Sequence, residues 1–303
     1  MLDNALVRRR IRLASVTRCL IGSVLGFFFG ATSLLAQPAP AELHWLVIAL
    51  PLVHELPGSG ARPGFLDRLL NEVIIPGLPG YKHSIEVLPF ERRNRMLAED
   101  ELACVPGLLR TPDREGRWRY AAAPVVTMLA SGIYALKDGA AKFKAYEDAN
   151  GAIELGRLLE DRQLTLGAAL GRSNGPVVDA LLAKAGASRV SIAAGPQPVL
   201  TLGRMLIARR FDGMLGQPYE IAAVAKTLNM PEDRFRFWPI SEQPPLQSIY
   251  IACHRGQQGE TRLADIERLF TRNPRARDAA QGFYESSLST KDLAKLHKLM
   301  GRR

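Results

Sequence analysis

The sequence is poor in cysteine, histidine and aromatic residues, and each scarcity removes a class of chemistry. Three cysteines without a C-x-x-C pair, and five histidines (His44, His54, His83, His254 and His297) without H-x-x-x-H spacing, give no metal-binding pattern. Aromatic residues make up 7% of the chain, too few for the stacked platforms of a single-strand or RNA surface, which argues against nucleic-acid binding. The glycine-rich "GSGARPG" at 58–64 opens no helix in dinucleotide-fingerprint spacing and is followed by no P-loop lysine, so it reads as a turn. No cofactor is expected. Internal repeats and low-complexity linkers are also missing from the pattern.

What is present is a globular composition, 47% hydrophobic and 23% charged, over 303 residues, enough for one large domain or two ordinary ones. Arg8, Arg9, Arg10, Arg12 and Arg18 precede the apolar or small run from Cys19 to Ala36, and small residues follow at Ala39 and Ala41. A basic region, an apolar region and an A-x-A-like site together predict a signal peptide over 1–41 and export to the periplasm. An uncleaved anchor is the competing reading, since the apolar run is near the shortest that spans a bilayer. Removing the leader takes five arginines and Asp3, so much of the +10 net charge belongs to targeting. Cys19 leaves with it, and Cys104 and Cys253 remain as a pair in an oxidising compartment, where a disulfide is an option that sequence alone does not decide.

From residue 44 the pattern alternates. "HWLVIALPL", "HSIEVLPF" and "CVPGLL" read as strands; "GFLDRLLNEVIIPGL", stopped by Pro76, and "RRNRMLAEDELA" read as helices. This βαβαβ order predicts a parallel sheet with ligand positions at the carboxyl ends of its strands. A second set follows: strands "SGIYALK", "QLTLGAAL", "RVSIAAG", "FDGMLGQ", "FRFWPI" and "PLQSIYIACHRG", interleaved with helices that include "GPVVDALLAKAG", and a charged helical tail from about Thr261. Two α/β lobes of similar size fit this order better than one long sheet.

Two stretches carry candidate chemistry. "CVPGLLRTPDREGRW" runs apolar, turns at Pro106 and Gly107, then crowds Arg110, Arg114 and Arg117 into a polar loop. A planar guanidinium fork suits bidentate carboxylate binding, although an arginine in such a loop is more commonly solvated. "GRSNGPVV" places Ser173, Asn174 and Gly175 before a helix, where free backbone N–H groups and the helix dipole favour an anion.

The order of elements resembles the type II periplasmic solute-binding superfamily, nearest to the family-3 proteins that serve polar amino acids. "GLLRTPDREGRWRYAAAPVV" occupies the slot of the family's Gly, Thr-containing loop and ligand-gripping Arg, with Gly107 and Arg114 at the matching positions. "ARRFDGMLGQPYEIAAV" is similar to the family's "G-aDA" strand and following helix. The resemblance implies an α/β, two-lobed fold with two mixed, mainly parallel sheets joined by two crossover strands. Lobe 1 would be 42–130 plus 243–303, and lobe 2 would be 131–242. It implies a monomer that breaks no bond, captures a small polar or anionic ligand in its cleft, and presents it to a membrane permease or a membrane sensor. The implied ligand-binding set is Arg114, Leu109 and Thr111 on one lobe and Ser173, Asn174, Gly175, Gln217 and Tyr219 on the other, with Arg92 after the second strand. Gln217 stands where amino-acid binders carry an Asp for the ligand ammonium, and "ALPL" replaces the acidic residue after the first strand; both departures favour an anionic or neutral-polar ligand over an α-amino acid. The same resemblance sets "SIYIACHRG" beside "LACVPG", which implies a Cys104–Cys253 disulfide.

A rival reading is enzymatic. Residues 171–175 satisfy G-x-S-x-G between a predicted strand and helix, and Asp212 with His254 or His297 follows in the order of a serine hydrolase triad. No HG-type oxyanion segment precedes it.

Overall fold

The computed structural model describes residues 40–56, 58, 61–161 and 163–302. The predicted leader therefore lies outside the described residues, save Pro40 and Ala41, and Ala41 already opens the first strand.

Among the described residues eleven strands form two sheets. The first contains β1 (Ala41–Val47), β2 (Tyr81–Val87), β3 (Ala103–Leu109), β4 (Trp118–Tyr120), β5 (Val126–Leu129) and β11 (Leu246–His254). Its order is β2-β1-β3-β11-β4, with β5 also on β11. The second runs β10 (Phe235–Pro239), β6 (Gly132–Leu136), β9 (Gly213–Gly216), β7 (Leu166–Ala169), β8 (Val190–Ala193). The strands β1, β2 and β3 pair in parallel, as do β7, β8 and β9. One strand in each sheet runs against the rest, β11 in the first and β6 in the second. The result is two mixed sheets in which most strands point one way, the expected two-lobed α/β architecture. The chain passes between the sheets twice, from β5 to β6 and from β10 to β11.

Helices at Gln257–Arg272 and Pro274–Ser286 cover the first sheet through Leu263, Ile266, Phe270, Ala280 and Tyr284, all in one core with Leu43, Trp45 and Cys253. The second sheet has apolar cores on both faces, one around Trp238 and Leu166 and another around Tyr134 and Met214. That second core takes in Ile48 and Phe90, which follow strands of the first sheet, so the two lobes touch through apolar side chains as well as polar ones.

Two local expectations change. The helix predicted to stop at Pro76 begins at Phe65, passes through a π-helical segment (Leu69–Ile74), and carries Pro76 in a last short turn ending at Gly77. Pro106 and Gly107 do not make a turn; both lie inside β3. Val105 pairs with Ala252 and Leu108 with Tyr250, so two residues of β3 oppose Ile251 alone. A bulge of this kind absorbs the N–H that proline lacks. Gly107 lets Leu66 and Ile249 pack close, since a Cβ would stand 2.7 Å from Leu66 Cδ1 and 2.9 Å from Ile249 Cδ1 and those side-chain ends would have to shift. Two residues before Pro106, Cys104 faces Cys253 across the ladder, and the two form a fully buried disulfide.

Candidate ligand cleft

The carboxyl ends of the parallel strands in both sheets converge on one cavity of about 90 Å³. Val47 and Ile48 reach it from β1, Phe90 and Arg93 from the helix after β2, and Leu108, Leu109 and Arg114 from β3 and its sequel. The second lobe contributes Arg172 and Ser173 after β7 and Gln217 and Tyr219 after β9. This is where ligands settle in open α/β sheets, because loops there are free of the ladder while the strands fix their positions.

Of the predicted residues, Arg114, Leu109, Ser173, Gln217 and Tyr219 line this cavity. Arg114 sits in a single helical turn (Pro112–Glu115), is 7% exposed, and donates from Nη2 to the Gly171 carbonyl of the opposite lobe at 3.4 Å. Burial pulls its guanidinium pKa below the ordinary arginine value, opposed by Tyr120 and the nearby carboxylates of Asp179 and Asp113. Arg110 and Arg117 are exposed, Arg110 in an ion pair with Glu115. Tyr219 packs edge-on against Phe65 and Tyr284 of the first lobe.

Thr111, Asn174, Gly175 and Arg92 lie off the cavity wall. Thr111 is buried and donates to Asp113 Oδ1 at 2.6 Å. Asn174 and Gly175 back against the two inter-lobe crossings: the Asn174 carbonyl accepts from Ser131 Oγ at 2.9 Å and from Gln247 Nε2 at 2.7 Å. The helix N-terminus expected to hold an anion is served from within, since Asp179 accepts from Asn174 N–H at 2.8 Å and from the Ser173 hydroxyl at 2.5 Å. Desolvation raises the Asp179 carboxyl pKa against those two bonds. Arg92 is exposed and reaches Glu86 at 3.5 Å; the next residue, Arg93, is the one that enters the cavity. Helical phase could have found it, because Phe90, Arg93 and Leu97 share the buried stripe of the helix Phe90–Glu99.

Two further pairs have no sequence signal. Arg172 and Glu220 form a bidentate pair, Nη1 to Oε2 at 3.0 Å and Nη2 to Oε1 at 2.8 Å, with Glu220 0% exposed. Glu220 Oε2 also accepts from Gln217 N–H at 2.9 Å. His54 lines the cavity while its Nδ1 meets Asp67 Oδ1 at 2.7 Å, and Asp67 Oδ2 accepts from Glu55 N–H and Gly64 N–H, both at 2.9 Å. Burial would raise the Asp67 carboxyl, but the His54 bond and the two backbone donors outweigh it and hold the pKa below 3.8.

The residues of the hydrolase reading are engaged apart from one another. Ser173 bonds Asp179, Asp212 bonds Lys142 and Thr165, and His297 bonds Glu285 in the C-terminal helices. Among the described residues no group of three His, Cys, Asp or Glu side chains is placed to hold a metal ion.

No protein-family model matches the chain, and no curated protein matches its sequence. Solved structures do match in three dimensions. A putative L-cystine ABC transporter protein from Listeria monocytogenes aligns with a TM-score of 0.61 at 14% identity, covering 83% of this chain and 98% of that one. EhuB in complex with hydroxyectoine aligns with a TM-score of 0.63 at 16% identity, covering 86% and 94%. A histidine kinase sensor domain with similarity to periplasmic binding proteins gives a TM-score of 0.58 at 13% identity, covering 79% and 93%. At such identities the likeness is one of fold, and the chain has the two-lobed architecture of type II periplasmic solute-binding proteins.

Proposed function

We propose that the chain is an exported solute-binding protein that closes two lobes around a small polar or anionic ligand for a membrane transporter or sensor. In this reading residues 1–41 are a signal peptide, 42–130 with 243–303 make one lobe, 131–242 make the other, and the mature protein works as a periplasmic monomer. The observation that carries it is a cavity at the carboxyl ends of both sheets whose lining, among the described residues, includes Arg93, Arg114 and Arg172 and no acidic side chain. Cationic, water-poor clefts of this kind hold anions tightly because the charge is fixed in advance and weakly screened. A ligand that touches both lobes supplies the free energy of closure. The fold neighbours include both an ABC transporter component and a kinase sensor domain, so either partner suits the architecture.

The test is a thermal-shift screen of the purified chain starting at Glu42, repeated on Arg114→Ala. A ligand at a hundredfold its Kd should stabilise the wild type by about 2.7 kcal/mol, and the shift should disappear in the variant. A hit whose stabilisation survives the substitution removes Arg114 from the site. A screen of acids, amino acids and neutral solutes without a hit would overturn the solute-binding reading.

A further inference from the structure

We propose that the cleft is built for a ligand with two acidic groups and no amino group, in which Arg93 holds the second acidic group beside Arg114. The proposal rests on the solute-binding reading and narrows it to a class of ligand. Arg93 is 4% exposed and lines the cavity. Its Nε and Nη2 both donate to Asn94 Oδ1, at 3.1 and 2.6 Å, so its side-chain partner is neutral. Among the described residues no carboxylate forms an ion pair with Arg93 or Arg114. A buried, uncompensated guanidinium is costly, and a ligand anion is the group that would offset it. The burial of Arg93 and then the charge of Arg114 pull its pKa down to about 9, which still leaves it cationic at neutral pH.

The carboxylates around the cavity are otherwise committed. Glu220 is held bidentately by Arg172, Asp67 by His54 and two backbone N–H groups, and Asp179 by Ser173 and Asn174. An ammonium entering the cleft would meet no free acidic side chain among the described residues and would face Arg93 and Arg114, whereas an anion meets two guanidiniums that hold no ion-paired carboxylate. The two arginines also share a frame: Asn94 Nδ2 donates to the Gly171 carbonyl at 3.0 Å, and Arg114 donates to the same oxygen. Lobe closure on Gly171 therefore positions both cations together. The cavity volume of about 90 Å³ favours a short molecule, either a dicarboxylate or a phosphate-like dianion.

Isothermal titration of the purified chain with short straight-chain dicarboxylates, monocarboxylates of equal length, inorganic phosphate and α-amino acids tests this. A dianion should bind at least about tenfold tighter than the matched monoanion, and Arg93→Gln should weaken the dianion about ten- to a hundredfold, the scale of one charge-assisted contact. The monoanion should change little, and Arg93→Lys should recover part of the loss. Whether a dicarboxylate or phosphate is the tight binder separates the two sources of the dianion. A monocarboxylate or an α-amino acid binding as tightly as any dianion overturns the proposal while leaving solute binding intact. If Arg93→Gln does not give a cooperative melt, the dianion-to-monoanion ratio on the wild type and on Arg93→Lys decides. No binding from any of these acids overturns the proposal, and the wider screen of neutral solutes then decides the parent reading.

Discussion

The histidine that lines the cleft owes its orientation to one carboxylate. Asp67 fixes the His54 ring through Nδ1, and the same carboxylate accepts from the backbone N–H groups of Glu55 and Gly64. Because the folded-state pKa of Asp67 lies below 3.8, its ionised form stabilises the fold above that value, and the contribution fades as pH falls through the lower folded value. Asp67→Asn should therefore cost about 1.5–3 kcal/mol at neutral pH. It should also flatten the acid limb of stability below about pH 4. Urea denaturation from pH 7 to 2.5 checks both, and parallel acid limbs for variant and wild type would refute the assignment. Legibility also differs residue by residue. Arg114, which lines the cavity, is surrounded by a motif. Arg93 lines it too but is told from Arg92 only by the helical phase of its arginine-rich run, and the His54–Asp67 and Arg172–Glu220 pairs join residues that no local spacing connects.

Among the elements, β3 and β11 bear the most. They run antiparallel through the middle of the first sheet, carry the bulge at Pro106 and Gly107, and are joined by the Cys104–Cys253 disulfide. The bond closes a sequence separation of 149 residues and so ties the first lobe across the whole excursion of the second. Loop-closure entropy for a span this long sets the stabilisation at about 2–5 kcal/mol. The double variant Cys104→Ala/Cys253→Ala should lower the denaturation midpoint accordingly with the fold retained, since β3 and β11 stay paired by their ladder. An unchanged midpoint under non-reducing conditions would show that the bond carries no stability. Strand order was legible because alternation and short apolar runs are local signals, and nine of the strands fall on stretches read as strands. The short β4 and β5 were not, because three or four residues are held in place by pairing with β11 rather than by their own pattern. The bulge resembles a turn in sequence for a related reason: Pro-Gly is a turn signal locally, and only the partner strand accommodates it in a ladder.

At the scale of the molecule the two lobes meet at Gly171. Its carbonyl receives Asn94 and Arg114 from the first lobe, and its φ of +73° is one that side chains rarely adopt. A Cβ there would lie 3.1 Å from the Glu91 backbone nitrogen and 3.3 Å from Glu91 Cα, so a side chain would press on the first lobe's backbone by a few tenths of an ångström. On the other side of the cleft, Gln243 Nε2 donates to the Ser131 carbonyl at 2.6 Å and Gln247 Nε2 to Gln243 Oε1 at 3.0 Å, which couples the two crossings where a hinge would act. Gly171→Leu adds a wedge opposite that hinge. It should hold the lobes apart, raise the radius of gyration measured by small-angle scattering, and weaken ligand at least about tenfold through loss of the closed population. The left-handed backbone adds about 1–2 kcal/mol of local strain, so the melting temperature must be followed separately from the scattering. If the wedge variant is as compact as the wild type and binds as tightly, the Gly171 contact does not govern closure, and the geometry that brings Arg93 and Arg114 together must be set within the first lobe alone.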